Sequence, residues 1–256
     1  MRAIVITGAS SGLGAALAVS YATPGLLLGL VARDRARLED VGRRCRAAGA
    51  EIELLASDVA EPEPLGSWLL ALDARAPVEL VIANAGTSAG PSPGAAFEGL
   101  GSVTRQVRTN LLGAANTIEP LLPAFVARGR GRIVLIAAVA ALRGLPYCPG
   151  YSASKAGMRA YGEALRGLLK PSGVKVSVAC PGFFSSPMTE RWRGPTPFLW
   201  SLDKATRRIR RGIDGGERRI VFPFWLAMGT RLADLLPARL GDFIMRDFRF
   251  HIVGRE

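Results

Sequence analysis

The feature that most constrains the fold is a set of continuous apolar segments of strand length: LLLGLVA, VELVIA, RIVLIA and VKVSVA. A strand with both faces buried has such a run, whereas a strand with one face in water alternates apolar and polar residues. Segments with helical periodicity lie between them, and glycines such as Gly49 and Gly173 mark helix ends. The alternation predicts a parallel sheet with helices on both faces.

This βαβαβ order is typical of the Rossmann-type, doubly wound α/β architecture with about seven strands. We place the strands near residues 3–7, 26–32, 51–56, 78–83, 131–137, 174–180 and 218–222. No repeat or linker interrupts the sequence, so we expect a single Rossmann-fold domain over residues 1–256. From residue 183 the sequence becomes aromatic and proline-rich, then basic and amphipathic. We expect residues 183–256 to form a substrate lid and a C-terminal helical segment.

The composition allows a large core, with 49% hydrophobic and 21% charged residues. The three cysteines share no short spacing, which argues against a zinc site or a disulfide framework and favours a reducing compartment. No signal-peptide pattern precedes the first strand, and no apolar run approaches the ~20 residues that span a bilayer. We therefore expect a cytoplasmic protein without a bound metal.

The formal net charge is +12, and arginine supplies most of it. One interpretation is a genome rich in arginine codons together with solvated helix faces. The other is an anionic partner, such as a phosphorylated cofactor, an acidic substrate or an anionic lipid. No nucleic-acid-binding motif accompanies the charge, so we expect no nucleic-acid partner.

The segment VITGASSGLG runs from a predicted strand through Gly8, Gly12 and Gly14 into a predicted helix. Gly8 permits the tight turn, Gly12 lets backbone N–H groups approach a pyrophosphate, and Gly14 lets the helix pack closely on the strand. The helix N-terminus adds the positive end of its dipole. The pattern predicts a dinucleotide-binding turn.

The tip of the second strand indicates which dinucleotide is bound. A carboxylate at this position binds the ribose hydroxyls of NAD, whereas NADP needs a cation. Ala32 and Arg33 occupy the tip, and Asp34 better suits a helix N-cap. The sequence therefore favours NADP(H), with Arg33 binding the 2′-phosphate and with Ser10 and Arg37 assisting.

Polar residues also follow the next strands. Asp58 follows the third strand, where it either reaches the adenine or caps a helix. The turn Asn84–Ala85–Gly86 follows the fourth strand, where backbone approaches the cofactor ribose and Asn84 can join neighbouring strands. Asn110 lies inside a predicted helix, where asparagine is unfavourable, so it holds a water or kinks the helix.

Tyr151 and Lys155 lie four residues apart in YSASK, on a helix that begins near Gly150, and so face the same way. A free tyrosine titrates near pH ~10, too high for a base at neutral pH. A neighbouring ammonium favours the phenolate and lowers the pKa of the tyrosine.

These motifs, TGASSGLG, NAG, the mid-helix Asn110 and YSASK, resemble the short-chain dehydrogenase/reductase superfamily over residues 3 to about 187. The resemblance implies an NADP-dependent oxidoreductase in which Tyr151 is the general acid/base, Lys155 binds the nicotinamide ribose and Asn110 positions a water. It also implies that CPGFFSSPM contacts the nicotinamide. The cofactor site expected from the motifs and the resemblance together comprises Gly8, Ser10, Ser11, Gly12, Leu13, Gly14, Arg33, Arg37, Asp58, Val59, Asn84, Ala85, Gly86, Tyr151, Lys155, Pro181, Gly182, Phe184 and Ser186.

One residue departs from that family. The family carries a serine thirteen residues before the tyrosine, and Ala138 stands there, beside Ala137. Three explanations are open: the chain is a Ser-to-Ala active-site variant at 138, another group such as Tyr147 or a water replaces the serine, or the protein is a catalytically silent NADP(H)-binding regulatory or scaffold protein. Loss of one oxyanion donor costs ~10²–10³ in rate, so we expect impaired activity.

The aromatic residues of the lid suggest a bulky apolar or ring-bearing carbonyl or alcohol substrate, although they equally fit packing of the lid on the core. We expect Leu142, Tyr147 and Phe183 to contact it. The amphipathic C-terminal segment either contacts a membrane surface or, as we favour, packs over the active site or at a dimer interface. We expect a homodimer or homotetramer. His251 is expected to be an exposed tail residue.

Overall fold

The computed structural model describes residues 1–91, 94–245 and 250–252. Within them, seven parallel strands form one sheet: β1 Arg2–Thr7, β2 Leu26–Ala32, β3 Glu51–Ala56, β4 Val78–Ala83, β5 Gly131–Ile136, β6 Val174–Pro181 and β8 Arg219–Phe222. Their order across the sheet is β3-β2-β1-β4-β5-β6-β8. The chain order reverses between β1 and β4, as the doubly wound architecture requires. The predicted fold class and all seven predicted strands are confirmed, each within one residue at either end.

Helices cover both faces of this sheet. They are α1 Gly12–Tyr21, α2 Arg35–Ala47, α3 Pro62–Arg75, α4 Leu100–Gln106, α5 Gly113–Ile118, α6 Leu122–Arg128, α7 Pro149–Leu168, α8 Leu202–Asp214, α9 Phe224–Leu235 and α10 Ala238–Met245. A π-helical turn, Val107–Leu112, joins α4 to α5, and a 3-10 turn, Val139–Ala141, follows β5.

Two apolar cores explain why the strands read as continuous hydrophobic runs. Leu27 and Val81 face a core shared with α3, α6 and α7. Their neighbours Leu28 and Ile82 face a second core formed with α1, α2 and α8. Successive side chains of a strand point to opposite faces, so a sheet covered on both sides needs apolar residues at every position.

In the C-terminal part, the described residues form a second, two-stranded sheet. A two-residue strand β7, Trp192–Arg193, pairs antiparallel with β9, His251–Ile252. His251 is exposed, as expected, but belongs to this strand pair. Among the described helices, none combines the length and the apolar composition needed to cross a membrane.

Candidate active site

A cavity of about 700 Å³ opens where β1, β2, β4, β5 and β6 end. Ligands of doubly wound sheets bind at this edge, beside the reversal of strand order. All but one of the expected cofactor-site residues line the cavity: Gly8, Ser10, Ser11, Gly12, Leu13, Arg33, Arg37, Asp58, Val59, Asn84, Ala85, Gly86, Tyr151, Lys155, Pro181, Gly182, Phe184 and Ser186. The exception, Gly14, is buried in the first turn of α1.

The glycine turn has the geometry of an anion-binding cradle. Gly8 and Gly12 have φ angles of +66° and +52°, which favour glycine. A Cβ on Gly14 would overlap the carbonyl oxygen of Gly8 and lie 2.6 Å from Asn84 Nδ2, so only glycine permits this packing of α1 on β1. Ser11, the N-cap of α1, accepts no capping hydrogen bond through its side chain, which leaves the N–H groups of the first turn for a ligand.

Hydrogen bonds hold the Asn84 turn against the glycine turn. The Thr7 hydroxyl accepts hydrogen bonds from the backbone N–H groups of Asn84 and Ala85, both at 3.1 Å. In return, Asn84 Nδ2 donates to the carbonyl oxygen of Thr7 at 2.9 Å. The ends of β1 and β4 therefore form one rigid floor under the cavity.

A cluster of two arginines and two aspartates lies at the tip of β2. Asp34 caps α2, as expected, by accepting a hydrogen bond from the Arg37 N–H at 3.0 Å, and it also pairs with the Arg37 guanidinium at 3.2 Å. Arg33 is more than half exposed and lies 3.5 Å from Asp58, a long contact that contributes little to stability. Asp58 also accepts a hydrogen bond from the Ala60 N–H.

Tyr151 and Lys155 lie on one face of α7 and both line the cavity. Lys155 Nζ donates to the carbonyl oxygen of Ile136 at 2.7 Å and lies 5.9 Å from the centroid of the Tyr151 ring. Burial lowers the pKa of Lys155 to about 8 and raises the pKa of Tyr151 above its ordinary value. Burial thus shifts the pKa of Tyr151 upward, whereas we expected the Lys155 ammonium to lower it.

Asn110 lies in the π-helical turn and does not line the cavity. Its Oδ1 accepts a hydrogen bond from the Thr87 N–H at 2.7 Å, and its Nδ2 donates to Thr87 O at 3.0 Å and Ser154 Oγ at 2.8 Å. The side chain thus joins the segment after β4 to α7. π turns often occur at functional positions because they interrupt the α-helical hydrogen bonding.

Ala138 lines the cavity directly after β5 with an extended backbone. The neighbouring serines do not replace the missing hydroxyl. Ser152 Oγ accepts a hydrogen bond from the Leu145 N–H at 3.0 Å, and Ser154 Oγ donates to the carbonyl oxygen of Tyr151 at 2.8 Å. Tyr147 does not line the cavity either, because its ring packs edge-on against Phe250.

The comparison with known proteins agrees with this geometry. Residues 2–196 match the family model of the short chain dehydrogenases. The chain belongs to the short-chain dehydrogenase family. An uncharacterized oxidoreductase of Myxococcus xanthus is 36% identical over 97% of this chain and 98% of its own length. This short-chain dehydrogenase is accordingly an oxidoreductase.

Two solved structures resemble this short-chain dehydrogenase over 97% of its length. A short-chain dehydrogenase from Sphingobium yanoikuyae in complex with NADPH has a TM-score of 0.79 and 28% identity, with 97% of that chain covered. A bulky-bulky ketone specific alcohol dehydrogenase from Comamonas testosteroni has a TM-score of 0.78 and 25% identity, with 95% of that chain covered.

In this short-chain dehydrogenase, residues of the segment predicted as a lid line one side of the cavity. Phe183, an expected substrate contact, lines the cavity and packs edge-on against Trp192 at 4.9 Å. Trp192 in turn stacks on Phe250 at 3.7 Å. Arg191 Nη2 donates to the carbonyl oxygen of Ser88, which fastens the lid to the segment after β4. Of the lid aromatics, some line the cavity and others, such as Trp200 on Phe222, pack on the core.

Two expected substrate contacts of this dehydrogenase lie outside the cavity. Tyr147 packs on Phe250, as described, and Leu142 is buried beside Val139 and Ala227 under α9. The 3-10 turn after β5 places Leu142 against α9, and Leu145 lines the cavity instead.

Sequence reasoning missed the cavity walls that the C-terminal part provides. They come from α9 and β9: Trp225, Leu226, Gly229, Thr230, Ala233 and Ile252. The only sequence signal was the amphipathic pattern of residues 223–245, which indicated a covering helix but not which residues face inward.

Proposed function

We propose that this protein is an NADP(H)-dependent oxidoreductase that interconverts a carbonyl and an alcohol on bulky, apolar, ring-bearing substrates. The observation that carries the proposal is the convergence of the glycine turn, Tyr151 and Lys155 on one cavity. If Tyr151 and Lys155 were only a surface pair on an amphipathic helix, nothing would require them to face the glycine turn.

The residues fit a phosphorylated dinucleotide. The glycine turn and the first turn of α1 suit the pyrophosphate. Arg33 and Arg37 suit the 2′-phosphate, because Asp34 is engaged in the α2 cap and, among the residues that the structure describes, Arg33 has only a long, exposed contact with Asp58. NADPH in the complex of the Sphingobium relative supports the same preference. When bound, the dinucleotide supplies or accepts the hydride.

Tyr151 would exchange the proton with the substrate oxygen. Burial keeps its phenol protonated, which suits an acid that donates to a carbonyl oxygen during reduction. Lys155, held by the Ile136 carbonyl, would orient the ribose hydroxyls and place a positive charge near the developing phenolate. Asn110 would act behind them, because its side chain joins Thr87 to Ser154 of α7.

The substrate half of the cavity favours apolar molecules. The cavity lining includes the apolar residues Ala137, Ala138, Val139, Ala140, Leu145, Phe183, Trp192, Trp225, Leu226 and Ile252, together with the polar residues Ser88, Thr189 and Thr230. The hydroxyl of Thr230 is engaged, since it donates to the carbonyl oxygen of Leu226 at 2.8 Å. Apolar walls with few polar groups bind bulky apolar ligands by excluding water.

Ala138 would slow this reaction without preventing cofactor binding, because the missing hydroxyl concerns the substrate oxygen alone. The alternative function is a catalytically silent, NADP(H)-binding regulatory or scaffold protein. Retention of Tyr151, Lys155 and Asn110 in one connected arrangement favours the enzyme.

The test is NADPH consumption with a panel of aryl and other bulky ketones, measured for the protein and for Tyr151→Phe. We expect ketone-dependent turnover that falls roughly 10²–10⁴-fold in the variant, while NADPH binding is unchanged. Tight NADPH binding without turnover, in both the protein as it stands and Ala138→Ser, would establish the alternative.

A further inference from the structure

The outer side of α9 and α10 carries an exposed apolar surface, which we call the α9–α10 face. It consists of Phe224, Trp225, Met228, Leu232, Leu235 and Leu240, whose exposed fractions lie between 37% and 82%. Positions 224, 228, 232 and 235 recur at helical spacing, so they share one side of α9. Ala227 and Ala233, on the opposite side, are buried. A clustered apolar surface of this kind marks an interaction site.

This face borders the mouth of the active-site cavity. Trp225 lines the cavity and is also 72% exposed. Met188 and Phe198 of the lid likewise line the cavity and are exposed. The rim of the cavity is therefore continuous with the α9–α10 face, and whatever covers the face lies at the entrance.

The charges around the face favour an anionic surface over a second copy of the chain. Arg143 neutralises Asp234 and Asp242, with N···O distances of 3.8 and 3.0 Å. Arg231 and Arg239, on the same two helices, form no ion pair with the described residues. A twofold contact through this face would bring the same two arginines from both copies to one surface, where they would repel each other.

We propose that the α9–α10 face docks on a membrane that contains anionic phospholipid, without crossing it. Aromatic and leucine side chains would enter the boundary between headgroups and acyl chains, and the arginines would bind the lipid phosphates. The cavity mouth would then face the acyl region, from which an apolar molecule reaches the rim directly. Docking is independent of the proposed reaction and is tested without turnover.

The test is flotation of the protein over residues 1–256 with vesicles of phosphatidylcholine and phosphatidylglycerol, compared with vesicles of phosphatidylcholine alone. We expect flotation with the anionic vesicles that weakens with added salt. The double variant Leu232→Ser/Leu235→Ser should bind about tenfold or more weakly, because each leucine leaves water on docking. The matched control is Leu70→Ser/Leu168→Ser, which changes two exposed leucines on α3 and α7 and should bind as the parent does.

Several results would overturn the proposal: no flotation of the parent protein with either vesicle, or equal loss of binding in both double variants. A dimer in sedimentation that Leu232→Ser/Leu235→Ser dissociates, without flotation, would make the face an interface between copies and would also overturn it. A second measurement needs no folding-sensitive variant. Vesicles with brominated acyl chains should quench the tryptophan fluorescence of the parent protein, and unchanged fluorescence would contradict docking.

Discussion

Replacing Ala138 by serine should raise the turnover number. The extended backbone at Ala138, with φ −164° and ψ 166°, accepts serine without strain. The residue lines the cavity, so the hydroxyl would face the substrate oxygen and would not be buried without a partner. One donor aimed at a developing oxyanion contributes about 3–4 kcal/mol, so we expect kcat to rise ~10²–10³-fold in NADPH-dependent ketone reduction.

Ala140→Ser is the matched control, because Ala140 also lines the cavity but lies in the 3-10 turn beyond the strand. We expect no gain from this variant. Equal turnover in Ala138→Ser and Ala140→Ser across the ketone panel would refute the reasoning, since the missing hydroxyl would then not limit the reaction.

Three further predictions concern the cofactor site and the buried lysine. Arg33→Ala should raise the KM for NADPH roughly tenfold to a hundredfold and leave the KM for NADH unchanged, because it removes charge-assisted hydrogen bonds to the 2′-phosphate. The control is Arg35→Ala, which removes an exposed arginine paired with Glu39. An equal rise in KM for both cofactors would contradict the role of Arg33. Gly14→Ala should abolish NADPH binding in calorimetry and lower the melting temperature, because its Cβ overlaps the Gly8 carbonyl, whereas Gly101→Ala, which has open space around it, should do neither. Lys155→Met should increase the free energy of unfolding at pH 7 by up to about 3 kcal/mol, the cost of charging a group whose pKa falls from 10.5 to about 8 on folding. Between those pH values the unfolded chain binds one proton more than the folded protein, so the free energy of unfolding of the parent protein rises with pH. The difference in this free energy between the parent protein and Lys155→Met therefore shrinks. Urea titrations in which the two free energies do not converge would contradict the pKa shift.

Much of the fold follows from local sequence because both faces of the sheet are buried. Each strand then appears as an unbroken apolar run with polar or glycine boundaries, and the seven predicted strands coincide with the observed ones. The same holds for the Asp34 cap, since an N-cap needs only its own backbone and the next turn.

The substrate half of the cavity could not be predicted in the same way, because distant segments meet there. Trp192 and Phe250 are far apart in sequence, yet they stack and bring Ile252 to the cavity wall. Leu142 and Tyr147 lie between β5 and Tyr151 in the sequence, where substrate contacts are expected. The 3-10 turn places Leu142 outside the cavity, and the ring of Tyr147 packs on Phe250. Such placements depend on tertiary packing, which the hydrophobic periodicity of a single segment does not reveal.

The most direct test of the proposed hydride transfer is isotopic. The protein and Ala138→Ser are incubated with an aryl ketone and NADPH deuterated at both C4 positions, and the product alcohol is measured by mass spectrometry. The proposal predicts an alcohol with one deuterium on the carbinol carbon. In Tyr151→Phe, the formation of this deuterated alcohol should fall as turnover does. Alcohol without deuterium, or no alcohol from either protein while NADPH is bound, would contradict it.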